Sequence, residues 1–174
     1  MIFNNVKNIF LIGIGGIGMS ALARYFITKN KEVMGYDREY SEITDELQKL
    51  GVKIIYDDHD FSLIHELESQ KDKTLVIYSS AIKKDHSLLN QFLINDFNTL
   101  KRASVLEIIS NSCKCIAIAG THGKTTTASI LTHILSKSNI QFMSFVGGIM
   151  KNFKSNFLFN GEDYIIVEAD EFDK

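Results

Sequence analysis

Cys115-Ile-Ala-Ile-Ala-Gly-Thr-His-Gly-Lys-Thr-Thr-Thr127 is the stretch on which the reading of this chain turns. Its apolar run reads as a buried strand that stops at Gly120. A short loop ends in Gly123-Lys124-Thr125, and a helical pattern follows over Lys124–Ser136. Strand, glycine loop and helix in that order form a nucleotide-triphosphate loop: backbone N–H groups cradle phosphates, a lysine neutralises them, and a hydroxyl holds Mg²⁺. The full Walker pattern is absent, because Ile118 stands where its first glycine belongs. The shorter Gly120-Thr121-His122-Gly123-Lys124-Thr125-Thr126 keeps the working parts. Lys124 reaches for the β- and γ-phosphates of ATP and Thr125 for Mg²⁺, while His122 offers only its backbone. A lone lysine at a helix start opposes the helix dipole, so an anion there makes better sense of it than solvent.

A second glycine loop, Gly13-Ile-Gly15-Gly16-Ile17-Gly18, lies near the N-terminus between a strand at Lys7–Ile12 and a helix at Gly16–Thr28. Its glycines serve a tight turn, close approach of a diphosphate, and helix–strand packing. Asp37 ends the next strand, Glu32–Tyr36, and is placed to accept a ribose or base hydrogen bond. The loop does not distinguish a dinucleotide from a UDP-sugar, and glycines also serve plain strand-to-helix turns. Tyr164-Ile-Ile-Val-Glu168 is an apolar strand that delivers a carboxylate at its C-terminal end, where P-loop enzymes hold Mg²⁺. His59 lies in a polar turn. Ser79 and Ser80 follow the strand Thr74–Tyr78 and can donate to phosphate or sugar. Arg102 suits an anion or a helix end. His65, His86 and His133 fall in helical patterns and read as surface or core residues.

The 174 residues are 45% hydrophobic and 23% charged, with a net charge of −2. These values fit a globular α/β protein and give no basic surplus for nucleic acid. No apolar run approaches the roughly 18 residues of a spanning helix. Ile9–Ile14 is interrupted by glycine and reads as a strand rather than a leader. Cys113 and Cys115 face the same way on a strand and read as buried, reduced thiols, which fits a cytoplasmic location. Proline is absent, and we have no functional account of that. Further strands at Val52–Tyr56 and Thr74–Tyr78, alternating with helices at Ser41–Leu50, from Phe61, at Asp85–Asn95 and at Ala103–Ser110, argue for a parallel sheet with helices on both faces. The rhythm restarts after Ser110-Asn111-Ser112. Residues 1–111 are therefore expected to form a Rossmann-like domain and residues 112–174 the start of a P-loop ATPase domain. In the second, Ile140–Phe145 reads as a strand, and Gly147-Gly148 with Lys151–Asn156 as a polar loop.

Gly13-Ile-Gly-Gly-Ile-Gly-Met-Ser-Ala-Leu-Ala23, Ser79-Ser-Ala-Ile82, Gly120–Thr127 and Glu168-Ala-Asp-Glu171 together resemble the Mur ligases of peptidoglycan synthesis. Within that family the Met19-Ser20-Ala21-Leu22 tail resembles the branch that adds L-alanine. The murein-peptide recycling branch shares the second loop and differs in the first. The resemblance implies a UDP-binding domain, a central ATPase domain and a C-terminal domain, of which this chain would hold the first and the start of the second. It implies ATP-dependent joining of L-alanine to UDP-N-acetylmuramate through an acyl phosphate. Gly15, Gly16, Ile17 and Gly18 would then face the UDP diphosphate and Asp37 the uridine. His59, Ser79 and Ser80 would lie near the UDP-sugar. Gly123, Lys124, Thr125 and Thr126 would hold ATP, and Thr125 and Glu168 would hold Mg²⁺. Phe172 departs from the serine many members carry. The chain alone is expected not to ligate; a non-catalytic UDP-sugar-binding remnant is the competing expectation.

Overall fold

A computed structural model describes residues 3–83 and 85–169. Asp170, Glu171 and Phe172, which complete the acidic motif, lie outside the described residues. The chain divides into two compact units, Met1–Val105 and Leu106–Lys174. That division falls within a helix, ahead of the polar break at residue 111.

In the first unit, β1 (Asn8–Ile12), β2 (Glu32–Tyr36), β3 (Lys53–Ile55), β4 (Thr74–Tyr78) and β5 (Asn98–Lys101) form one sheet in the order β3-β2-β1-β4-β5. Every pairing is parallel. Parallel neighbours need crossover connections. These contain α1 (Ile17–Thr28), α2 (Glu42–Lys49), α3 (Ser62–Leu67) with a 3-10 turn at Glu68–Lys73, and α4 (Ser87–Ile94). Side chains alternate across a strand, and both sides of this sheet are covered. Phe10, Ile12, Met34, Tyr36 and Val76 pack with Leu63, Ile64 and Leu67 of α3 and with Leu88, Leu89 and Phe92 of α4. Ile9, Leu11, Leu75 and Ile77 point the other way and are equally buried; α1 packs against β1 and β2. A strand buried on both faces reads as a continuous apolar run, which is why Ile9–Ile12 lacks alternation.

β5 carries no such signal. Asn98-Thr-Leu-Lys101 is an edge strand with half-buried or exposed residues, so neither alternation nor an apolar run marks it. The helix α5 (Arg102–Ser110) follows directly.

The second unit contains β6 (Lys114–Ile118), α6 (Lys124–Leu135), β7 (Phe142–Met150), β8 (Ser155–Phe159) and β9 (Tyr164–Glu168). Its sheet runs β6-β9-β7-β8. β9 is parallel to β6 and β7, and β8 is antiparallel to β7. Two expectations change here. Gly147 and Gly148 belong to β7 rather than to a loop, and the loop expected to reach Asn156 ends before Ser155, where β8 begins. Asn156 is fully buried, and the Phe145 and Phe157 rings pair across the hairpin at 4.9 Å. Polar composition at Lys151–Asn156 masked that strand start. Cys115, expected to be buried, is exposed, and both cysteines are free thiols. α6 packs on the sheet through Ala128, which clusters with Phe142, Val146, Met150 and Ile166.

Gly35 tests the register of the first sheet. A Cβ there would collide with the Leu11 carbonyl oxygen and stand 3.0 Å from Ile14 Cδ1. Gly35→Ala is expected to lower stability by about 1–3 kcal/mol in urea unfolding. An unchanged midpoint would contradict the β1–β2 pairing.

Candidate functional site

Two sites arise, one in each unit. In the first, the sheet order reverses at β1, with β2 on one side and β4 on the other. Ligands of open α/β sheets sit at such a switch, beyond the strand carboxyl ends. Gly13 leaves β1 with φ +84°, a conformation that glycine adopts without strain. Its N–H and that of Ile14 donate to the Tyr36 carbonyl at 2.7 and 3.0 Å. Gly16 N–H donates back to the Gly13 carbonyl at 3.1 Å, and Gly15 N–H donates to Asp37 Oδ2 at 2.7 Å. Asp37 Oδ1 accepts from Glu39 N–H at 3.2 Å. Gly16 caps α1, whose first turn has no side-chain cap.

These groups make hydrogen bonds within the loop. The Gly15 and Gly16 amides, expected at a diphosphate, are engaged inside the loop. Asp37, expected at a ribose or base, holds the loop closed through Gly15. A Cβ on Gly15 would stand 2.9 Å from both Asp37 Oδ2 and Thr44 Cγ2, so a side chain there would press on the carboxylate that closes the loop. Arg102 lies against Gly18 in the first turn of α1: a Cβ on Gly18 would strike its guanidinium and stand 3.1 Å from its Cδ. Ser79 emerges from β4 beside Gly13, its Oγ 4.0 Å from where a Gly13 Cβ would be. Ser80 is exposed. His59 is exposed beyond β3, with Nε2 3.8 Å from Asp58 Oδ1. The structure thus brings Gly13, Gly15–Gly18, Asp37 and Ser79 together, with Arg102 added, and leaves His59 and Ser80 at the periphery.

A cavity of about 400 Å³ adjoins Gly13, lined by Tyr36, Asp37, Arg38, Asp58, Lys83 and His86 among others. His86 read as a plain surface or core histidine. It caps α4, meets the Tyr36 ring edge-on at 5.2 Å, and buries Nδ1 with no hydrogen-bond partner. Burial pushes its imidazole below the ordinary 6.5, against the opposing pull of Asp58 and Asp85. Nothing in the sequence pattern marked Arg38, Lys83 or His86 as cavity residues, because two separate loops contribute them.

The second site is the loop after β6. Gly120 has φ +142° and Gly123, the N-cap of α6, φ +78°. Lys124 Nζ folds back to donate to the Gly120 carbonyl at 2.6 Å. Thr125 Oγ1 donates to Glu168 Oε2 at 2.9 Å. The other carboxylate oxygen, Oε1, accepts from Gly147 N–H at 2.7 Å. Thr121, His122 and Thr126 are exposed around the loop. The structure therefore joins Thr125 and Glu168, separated by most of the second unit in sequence. A hydroxyl and a carboxylate are oxygen ligands of the kind Mg²⁺ takes, and here the two lie side by side. Among the described residues no three His, Cys, Asp or Glu side chains form a metal cage.

Residues 8–113 match the Mur ligase family, catalytic domain, and the chain belongs to that family. It is 45% identical over 175 residues to a UDP-N-acetylmuramate–L-alanine ligase of Parabacteroides distasonis, covering 100% of this chain and 38% of that protein. It is 48% identical over 174 residues to the enzyme of that name from Flavobacterium psychrophilum, with the same coverage of 100% and 38%. The chain thus spans 38% of the length of these curated relatives. Among solved structures it superposes on the UDP-N-acetylmuramate-alanine ligase of Thermotoga maritima with a TM-score of 0.80, 27% identity, and coverage of 92% of this chain and 37% of that one. It also superposes on UDP-N-acetylmuramate:L-alanyl-gamma-D-glutamyl-meso-diaminopimelate ligase from Neisseria meningitides, with a TM-score of 0.83, 26% identity, and coverage of 97% and 54%. No helix among the described residues is long and apolar enough to cross a membrane.

Two outcomes check the first site. Asp37→Ala is expected to speed hydrogen exchange of the Gly15 amide about ten-fold, the worth of one hydrogen bond to a charged group. Exchange unchanged from wild type would break the proposed closure. For His86, the folded state takes up a proton less readily than the unfolded chain. Stability from the neutral ring is intact above the ordinary pKa of 6.5 and is lost as pH falls below it toward the lower folded value. Urea unfolding at about pH 7.5 and about pH 5.5 should show that loss in wild type and a smaller one in His86→Gln.

Proposed function

We propose that this chain carries the UDP-sugar-binding unit and the nucleotide loop of a cytoplasmic, ATP-dependent ligase that joins L-alanine to UDP-N-acetylmuramate. The observation that carries the reading is the Thr125–Glu168 pair at 2.9 Å, set behind a lysine at the start of α6. The curated relatives, 45% and 48% identical, support the choice of L-alanine.

In this reading the UDP-sugar lies at the switch point of the first sheet. The first turn of α1 and the Arg102 guanidinium face its diphosphate, and Ser79 adds a hydroxyl. The cavity beside Gly13, with Arg38, Lys83 and His86, lies next to that position. Asp37 serves by fixing the loop.

In the second unit the N-terminus of α6 receives the ATP phosphates. Lys124 exchanges the Gly120 carbonyl for a phosphate oxygen, and Thr125 with Glu168 holds Mg²⁺. When bound, Mg²⁺ supplies positive charge against the phosphate oxygens. The muramoyl carboxylate attacks the γ-phosphate, releasing ADP and forming an acyl phosphate. The amine of L-alanine then displaces phosphate and forms the amide. Catalysis of this kind rests on positioning and charge neutralisation, which is what these residues offer.

The superposition on the murein-peptide ligase at a TM-score of 0.83 favours a second reading, in which a preformed peptide replaces L-alanine. A third, a non-catalytic UDP-sugar-binding remnant, predicts no metal-linked ATP affinity. Calorimetric titration separates them in part. The chain is expected to bind UDP-N-acetylmuramate and Mg²⁺–ATP independently. Lys124→Ala is expected to weaken ATP by about ten- to hundred-fold, the value of a charged hydrogen bond, without affecting the UDP-sugar. UDP-sugar binding with no ATP affinity would favour the remnant.

A further inference from the structure

We infer that Gly147 is a positioning residue for the metal-binding pair, its backbone N–H and its missing side chain together setting the Glu168 carboxylate beside the Thr125 hydroxyl. The inference rests on the metal role given above to Thr125 and Glu168.

The parallel ladder between β7 and β9 runs from Phe142↔Tyr164 to Phe145↔Val167. Two residues beyond it, Gly147 turns its N–H to the Glu168 side chain rather than to a strand partner, and donates to Oε1 at 2.7 Å. The pairing of β7 with β8 is irregular between Phe145 and Met150. An irregularity of that kind re-aims a backbone group next to a site. With Oε1 fixed by Gly147 and Oε2 by Thr125, both the direction and the plane of the carboxylate are set.

The side chain that Gly147 lacks matters as much. A Cβ there would stand 2.9 Å from Glu168 Oε2 and 3.3 Å from Cδ and Oε1. At the next residue, a Cβ on Gly148 would stand 3.1 Å from Thr125 Cγ2. The two glycines therefore clear space for the two members of the pair, one each. Neither has a positive φ, so the backbone accepts any L residue and only the space requires glycine. The atoms a Gly147 methyl would meet are the far end of a long glutamate side chain rather than backbone. Gly147→Ala therefore moves the carboxylate away from Thr125 while leaving the sheet intact.

The test is calorimetric titration of ATP into the 174-residue chain, in Mg²⁺ and in EDTA, for wild type, Gly147→Ala and Gly148→Ala, with thermal unfolding of each. Wild type is expected to bind ATP more tightly in Mg²⁺ than in EDTA. Gly147→Ala is expected to lose about ten-fold of affinity in Mg²⁺, the equivalent of one charged contact, with affinity in EDTA and the unfolding midpoint unchanged. Gly148→Ala, which presses on the Thr125 methyl rather than on the carboxylate, is expected to lose less. A Gly147→Ala protein with the wild-type Mg²⁺ response overturns the inference and leaves the metal pair standing. Equal losses in Mg²⁺ and EDTA with a lowered midpoint also overturn it, by assigning Gly147 a purely structural part. A wild-type chain that binds ATP without any Mg²⁺ response overturns the metal pair itself, and the positioning role with it.

Discussion

The hydrogen bond from Thr125 to Glu168 ties together everything distinctive in the second unit. Thr125 sits in the first turn of α6 because Gly123, with its positive φ, lets the chain leave β6 and enter the helix at once. Glu168 ends β9, which lies between β6 and β7 in the sheet. Only a parallel arrangement brings the C-terminal ends of β6 and β9 to the same edge. The helix start, with its positive dipole end, and the carboxylate then meet there. A carboxylate beside the positive end of a helix and a lysine is a favourable arrangement in itself. It is also a good one for holding a divalent cation against a polyanion.

The first unit depends on a similar economy of backbone groups. Gly13 and Ile14 share the Tyr36 carbonyl, and Gly15 takes the Asp37 carboxylate, so the loop's own amides are largely committed to its shape. The loop is consequently a rigid support for the α1 first turn, with the Arg102 guanidinium beside it. The acid at the end of β2, Asp37, accepts from the loop's own Gly15 amide.

Much of this was legible in the sequence. Glycine spacing, uninterrupted apolar runs such as Ile9–Ile12 and Leu75–Ile77, and the strand–loop–helix order marked the parallel sheet and both loops. Thr125 and Glu168 were legible because each stands at a fixed offset from a strong element. What was hidden has a physical reason. β5 is a short half-exposed edge strand, and β8 begins with Ser155-Asn156, whose buried asparagine breaks the usual equation of polar with loop. Arg38, Lys83 and His86 reach one cavity from two loops, a juxtaposition that only the fold creates. Gly147 looked like a turn glycine, because a residue that acts through the side chain it lacks leaves no chemical signature in a sequence.

The central claim is that the α6 start and the end of β9 form one Mg²⁺–nucleotide site. It is tested most directly by adding Mn²⁺ to the isotopically labelled chain with ATP present and mapping paramagnetic broadening of the amide resonances. The account predicts broadening centred on Lys124, Thr125, Gly147 and Glu168. Broadening centred elsewhere, or none in this group, would contradict it.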